Sequence, residues 1–124
     1  MATKFYKCNH CGNVIEKIID SKVPVFCCGE KMEELVPNTV EASGEKHIPV
    51  VTHLQDNILK IEVGSVHHPM LPEHHIAFIY VETEHGGIRI DLKDQPVAVV
   101  HLGEEKAVAV YEYCNLHGLW KVEL

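Results

Sequence analysis

The stretch AVAVYEYCNLHGLWKVE (residues 107–123) decides how this chain is read. Its two ends, AVAVYEY (107–113) and LWKVE (119–123), are short runs rich in β-branched and aromatic residues, the composition of strands. Between them Cys114 and His117 stand three apart, just before Gly118 and the chain's only tryptophan, Trp120. A thiol and an imidazole at that spacing can meet one metal ion. They can act as nucleophile and base, or be no more than a buried thiol and a turn histidine. The rest of the chain has to choose.

Working outward, the same kind of run recurs: HIPVVTHL (47–54), LKIEVG (59–64), HIAFIYVE (75–82), IRIDL (88–92) and VAVVH (97–101). The turn-rich segments QDN, HHPMLPEH, EHGG, KDQP and GEEK separate most of them. No segment offers a long helical period flanked by caps. Seven short strands over about 80 residues imply an all-β domain, an immunoglobulin-like seven-stranded sandwich or barrel. Periodicity alone does not separate those two.

Composition narrows the function. The 124 residues allow one domain, or a domain with a small appendage. Lys and Arg number 11 against 18 Asp and Glu, a formal net charge of -7. That argues against a nucleic-acid binder, which needs a basic surface. No apolar run is long enough for a signal peptide or a membrane helix, so the expected location is cytoplasmic, with no membrane partner. Cytosolic thiols stay reduced, and the odd count of 5 Cys suits metal ligation better than a disulfide framework. The 10 His point the same way.

Four of the five cysteines fall in residues 1–36, in YKCNHCGNVI and VFCCGEKM. So short a segment, with few apolar residues, needs a metal, disulfides or a partner to stay folded. Cys8, Cys11, Cys27 and Cys28 supply a tetrahedral thiolate site. Gly12 and Gly29 give the backbone the freedom to turn amide N–H groups toward the sulfurs. A redox dithiol would expect a βαβ context, which is missing. A structural zinc is the stronger rival, but zinc ribbons present two separated knuckles and here the second pair is adjacent, which implies a distorted tetrahedron. His10, between the knuckle cysteines, is expected to face solvent. VPNTVEASGEK (36–46) then reads as a linker. The expected organisation is a small domain over 1–36, a linker over 37–44 and a β domain over 45–124.

The histidines of the second segment gather where strands begin or turn. His47 opens the first run, His67 and His68 precede Pro69, His74 and His75 open the third, and Cys114 and His117 lie before the last. In a sandwich, loops from distant parts of the chain meet at one end. Together these residues can supply an iron-type site of imidazole nitrogens and one thiolate. Strand alternation does not choose between His67 and His68, or between His74 and His75. His53, His85 and His101 read as ordinary histidines.

CNHC followed by a vicinal cysteine pair resembles desulforedoxin, a small iron–tetrathiolate protein. EKHIPV, HPMLPEH and YCNLHG, in that order, resemble the iron site of superoxide reductase. End to end, the chain is similar to the desulfoferrodoxin family, the two-iron form of that enzyme. The resemblance implies two non-haem irons per chain. One would be held by the four N-terminal cysteines, the other by His47, His68, His74, His117 and Cys114. It implies one-electron reduction of superoxide to hydrogen peroxide, with electrons from a rubredoxin-like donor. Lys46 would attract the anionic substrate and help organise proton delivery, and Glu45 would close the open metal position in the oxidised state. Related modules pair, so a homodimer is expected. Three other readings explain less. A zinc protein without enzymatic activity, or an iron electron carrier on a β scaffold, leaves the His clusters and Cys114 idle. A Cys114–His117 hydrolase lacks an orienting partner and an oxyanion hole.

Overall fold

A computed structural model describes residues 3–40, 42 and 44–124; two residues of the expected linker, Glu41 and Ser43, lie outside the described set. The chain divides into two compact units, Met1–Val36 and Pro37–Leu124.

In the first unit, β1 (Phe5–Lys7) pairs antiparallel with β2 (Val14–Glu16) on one side. After β3 (Phe26–Cys27) and β4 (Glu30–Lys31), which form their own small hairpin, β5 (Glu33–Leu35) pairs with the other side of β1. The apolar side chains buried among its described residues are Phe5, Cys8 and Met32, while Ile18 and Ile19 are 82% and 84% exposed. A unit that buries so little needs another source of stability.

The described residues of the second unit form seven strands: β6 (Pro49–Leu54), β7 (Ile58–Val63), β8 (Ile76–Thr83), β9 (Gly86–Asp91), β10 (Val97–His101), β11 (Ala107–Cys114) and β12 (Gly118–Glu123). Each falls on a run expected from the sequence. They form two antiparallel sheets, β10-β7-β6 and β12-β11-β8-β9, that do not close on each other. The architecture is therefore the sandwich rather than the barrel. Alternation is clean on β7, where Leu59, Ile61 and Val63 point inward. They meet Ile79 and Val81 of β8 and Val110 of β11 in one core.

One local element differs from the run HIPVVTHL. His47 does not begin a strand but ends a single helical turn, α1 (Gly44–His47), closed by the Ile48 N–H donating to the Gly44 carbonyl at 2.8 Å. The reason is Pro49. It disfavours helix at the residue before it, and lacking an N–H it fits the first position of the edge strand β6.

Candidate metal centres

In the second unit the loops that carry the histidines are fastened to one another by backbone. The carbonyl of Glu45, in α1, accepts from the Val66 N–H at 3.0 Å and from the Ser65 hydroxyl at 3.1 Å. The close approach depends on Gly64, where a β-carbon would stand 2.6 Å from that same carbonyl oxygen. A bond from the His68 N–H to the Val63 carbonyl, 2.9 Å, then turns His68 inward. Strand β11 delivers Cys114 at its end, and β12 begins at Gly118, whose φ of +79° lets the chain reverse tightly.

The outcome is a square of imidazoles. His47 meets His68 (ring centroids 4.7 Å), His68 meets His74 (4.5 Å), His74 meets His117 (5.1 Å), and His117 meets His47 (4.9 Å). All four contacts are edge-on, with interplanar angles of 68° to 87°. His47 Nε2 lies 3.1 Å from both His68 Nε2 and His117 Nδ1. Cys114 Sγ is 3.5 Å from His68 Nε2 and 3.8 Å from His117 Nδ1. One donor atom from each of the five residues lies within 4.8 Å of all the others.

A hydrogen-bond network does not account for this. An imidazole nitrogen has one in-plane direction, so His47 Nε2 cannot bond both neighbours well. His68 already donates through Nδ1 to the Pro69 carbonyl at 2.7 Å, which leaves Nε2 as a bare lone pair. His74 Nε2 is buried without any partner among the described residues. Burial pushes the His68 imidazole down to about 4 and lowers His74 as well, so both rings are neutral near pH 7. Two nitrogens on adjacent corners around one ion, each about 2.1 Å from it, would stand about 3 Å apart. The donor set thus fits a cation at its centre. Cys114 is fully buried, which pushes its thiol up, while the backbone N–H groups of Leu116 and His117 donate to the sulfur and oppose that shift. A cation would complete its deprotonation.

The neighbours left open by the sequence separate clearly. His67 is exposed and its Nε2 meets Glu62 Oε2 at 2.9 Å. His75 turns its Nδ1 to the Leu71 carbonyl at 3.0 Å. Glu45 and Lys46 are exposed on α1, and the Lys46 charge is felt at His74. His53, His85 and His101 are exposed. Two participants were not singled out from the sequence. Trp120 stacks on His47, and Asn115 ties together two of the ligand-bearing loops. Asn115 lies inside the YCNLHG motif, which was the available signal.

The first unit gathers the other four sulfurs. Cys8, Cys11, Cys27 and Cys28 lie within 4.8 Å of one another, with Cys11 and Cys27 at 3.6 Å and Cys27 and Cys28 at 4.0 Å. A tetrahedron with metal–sulfur bonds of about 2.3 Å has edges of about 3.8 Å. The Cys11 N–H turns toward Cys8 Sγ at 3.5 Å, and Gly12 and Gly29 both take positive φ, +85° and +74°. The vicinal pair bends the backbone sharply, Cys28 itself being left-handed at φ 53°. The Cys11 N–H holds the Cys8 thiol down, to about 6, whereas Cys28, bonded first to the Cys11 side chain, is pushed up to about 12. Four sulfurs so close cannot all ionise unless a cation takes up the charge. His10 is exposed and stands apart.

An all-β chain with one cluster of four cysteine sulfurs and one square of imidazoles beside a buried cysteine fits a two-centre, iron-type metalloprotein. Comparison with known proteins places it further. Residues 39–123 match the family model for desulfoferrodoxin. The chain is 42% identical over 120 residues to the desulfoferrodoxin of Syntrophotalea carbinolica, covering 95% of this chain and 94% of that one. It is 40% identical over 122 residues to that of Nitratidesulfovibrio vulgaris, covering 97% and 95%. Among solved structures, the superoxide reductase from Treponema pallidum superposes with a TM-score of 0.82 at 32% identity, over 99% of this chain and 100% of that one. The chain belongs to the desulfoferrodoxin family.

Proposed function

We infer that this chain is a superoxide reductase, taking superoxide, one electron and two protons to hydrogen peroxide at the His47, His68, His74, His117 and Cys114 centre. The observation that carries the reading is the closed square of imidazoles with one buried sulfur beside it. These five residues would hold a six-coordinate ion with one position to spare, and an open position distinguishes a catalytic site from a structural one. Iron bound there supplies the one-electron change.

The chain's residues do the rest. Burial holds the His68 and His74 imidazoles neutral near pH 7, so these two add no charge that would have to be offset in the reduced state. Cys114 donates electron density, and the amides of Leu116 and His117 stabilise its thiolate. Lys46 is an exposed cation close enough to influence His74, on a chain of net charge -7, and it focuses a small anion toward the square. Glu45 precedes it on the same turn and is proposed to cover the open position in the oxidised enzyme. Cys8, Cys11, Cys27 and Cys28 hold the second iron.

The cycle consumes an electron that the chain does not generate, so a one-electron carrier of the rubredoxin type is proposed as donor. The exposed Ile18, Ile19, Val23 and Phe26 of the first unit support a second copy of the chain as partner, to be read by light scattering. Among the described residues no helix is long and apolar enough to cross a membrane; the cytoplasm is the proposed compartment.

The test is metal analysis with visible spectra, followed by pulse radiolysis of the ascorbate-reduced protein. Two irons per chain, a second thiolate band bleached by ascorbate and rapid loss of superoxide are expected. One zinc, with no second band and no turnover, would overturn the reading.

A further inference from the structure

The four imidazoles are not equally well anchored. His47 is held in α1 and stacked on Trp120. His68 is fixed by bonds at both its ring and its backbone. His117 shares a tight turn with Cys114, and its carbonyl accepts from the Trp120 indole at 3.1 Å. The backbone bonds of His74 stay inside its own segment: its N–H donates to the Leu71 carbonyl at 3.1 Å and its carbonyl accepts from the Leu71 N–H at 2.9 Å. It ends a segment in which Leu71, Pro72 and Glu73 are all exposed, and its Nε2 has no partner among the described residues.

What holds this segment from outside is Asn115. Its Oδ1 accepts from the His75 N–H at 2.8 Å, and its Nδ2 donates to the Glu73 carbonyl at 3.0 Å. Its own N–H donates to the His75 carbonyl at 3.2 Å. The bonds straddle His74, one residue before it and one after. They start from the residue next to Cys114, across 40 and 42 positions of sequence. A side-chain amide is suited to this, because it presents one acceptor and one donor from the same short stem. Aspartate keeps the acceptor but turns the donor into a second acceptor aimed at a carbonyl. Alanine loses both.

We propose that Asn115 is the positioning residue that sets the His74 imidazole relative to the Cys114 sulfur, and through it the tightness and ligand field of the second metal centre. This rests on reading the five residues as one metal site. Asn115 touches no metal-facing atom in that reading; it acts through His74.

The experiment compares full-length iron-loaded wild type with Asn115→Asp and Asn115→Ala. Three quantities are read: the position of the second-site thiolate band, the rate at which that iron is lost to a chelator, and the thermal midpoint. The tetrathiolate band of the same sample serves as internal control. Expected is a shifted second band and about tenfold faster iron loss from that site in both variants, the usual scale for removing an outer partner of a ligating histidine, with the control band unmoved. A merely structural Asn115 would lower the midpoint while leaving band and retention within about twofold of wild type, and that result overturns the proposal. Asn115→Asp preserves volume and one hydrogen bond, so it serves should Asn115→Ala fail to fold. Wild type without a second band would overturn the metal-site reading itself; a wild-type band with unmoved variants overturns only the role of Asn115.

Discussion

Trp120 lies nearly flat on the imidazole of His47, ring centroids 4.9 Å apart and planes 20° from parallel, while its indole N–H donates to the His117 carbonyl at 3.1 Å. One side chain thus braces two corners of the square. Because it is the only tryptophan, it also reports on the site. Its fluorescence should fall when a transition metal enters the imidazole square and recover on chelation, with His47→Ala abolishing the response. Trp120→Phe keeps the stacking but loses the hydrogen bond, at a cost of about 1 kcal/mol, and should loosen metal retention modestly. A fluorescence signal indifferent to metal would separate Trp120 from the centre.

Lys46 stands beside the square without belonging to it. If it focuses superoxide, Lys46→Ala should slow the bimolecular reaction by about tenfold or more and flatten its dependence on ionic strength. The visible spectrum should stay unchanged, because no donor is lost. Pulse radiolysis at two salt concentrations decides this, and an unaltered rate would remove Lys46 from the mechanism.

Much of this was legible from the residues. Seven runs became seven strands because period-two alternation of β-branched side chains survives folding intact, as on β7. The tetrathiolate was legible from the poverty of apolar residues around four cysteines. Sandwich against barrel was not legible, since closure depends on which edges pair. The choice of His68 over His67 was likewise unreadable from alternation, because it is made by contacts between chain segments: Gly64 against the Glu45 carbonyl and the bond from the His68 N–H to Val63. The turn at Gly44–His47 is too short to leave a period, and Asn115 acts across distances that sequence does not display.

Glu112 was equally hidden. Nothing in the run AVAVYEY marks it out, yet it shares the inward face of β11 with Val110 and Cys114, fully buried, both carboxylate oxygens unpartnered among the described residues. Burial pushes its carboxyl from an ordinary 4.5 up to about 9. The folded protein therefore holds this proton more tightly than the unfolded chain does. The associated stability is complete below about pH 4.5 and is lost as pH rises toward 9, with a slope approaching about 1.4 kcal/mol per pH unit. Glu112→Gln cannot ionise. Its thermal midpoint should vary less between about pH 6 and about pH 9, and its advantage over wild type should grow with pH. Parallel profiles would mean that the carboxyl reaches solvent or a partner in solution.

The two units should come apart energetically when the first loses its metal. Among described residues, the first unit buries Phe5, Met32 and the ligand Cys8 and leaves Ile18, Ile19, Val23 and Phe26 largely exposed, whereas the second has a continuous core between two sheets. Free energy of metal binding is free energy of folding for a module of this kind. Cys11→Ser removes one sulfur of the tetrahedron and should leave residues 1–36 open to proteolysis at ordinary temperature. The sandwich should stay resistant, and the second thiolate band and the superoxide rate should be retained. Limited digestion followed by mass measurement reads the boundary directly. Should the variant's first unit stay protected, its stability would have to come from covering those apolar side chains rather than from the metal, and the oligomeric state of Cys11→Ser would then be the quantity to measure.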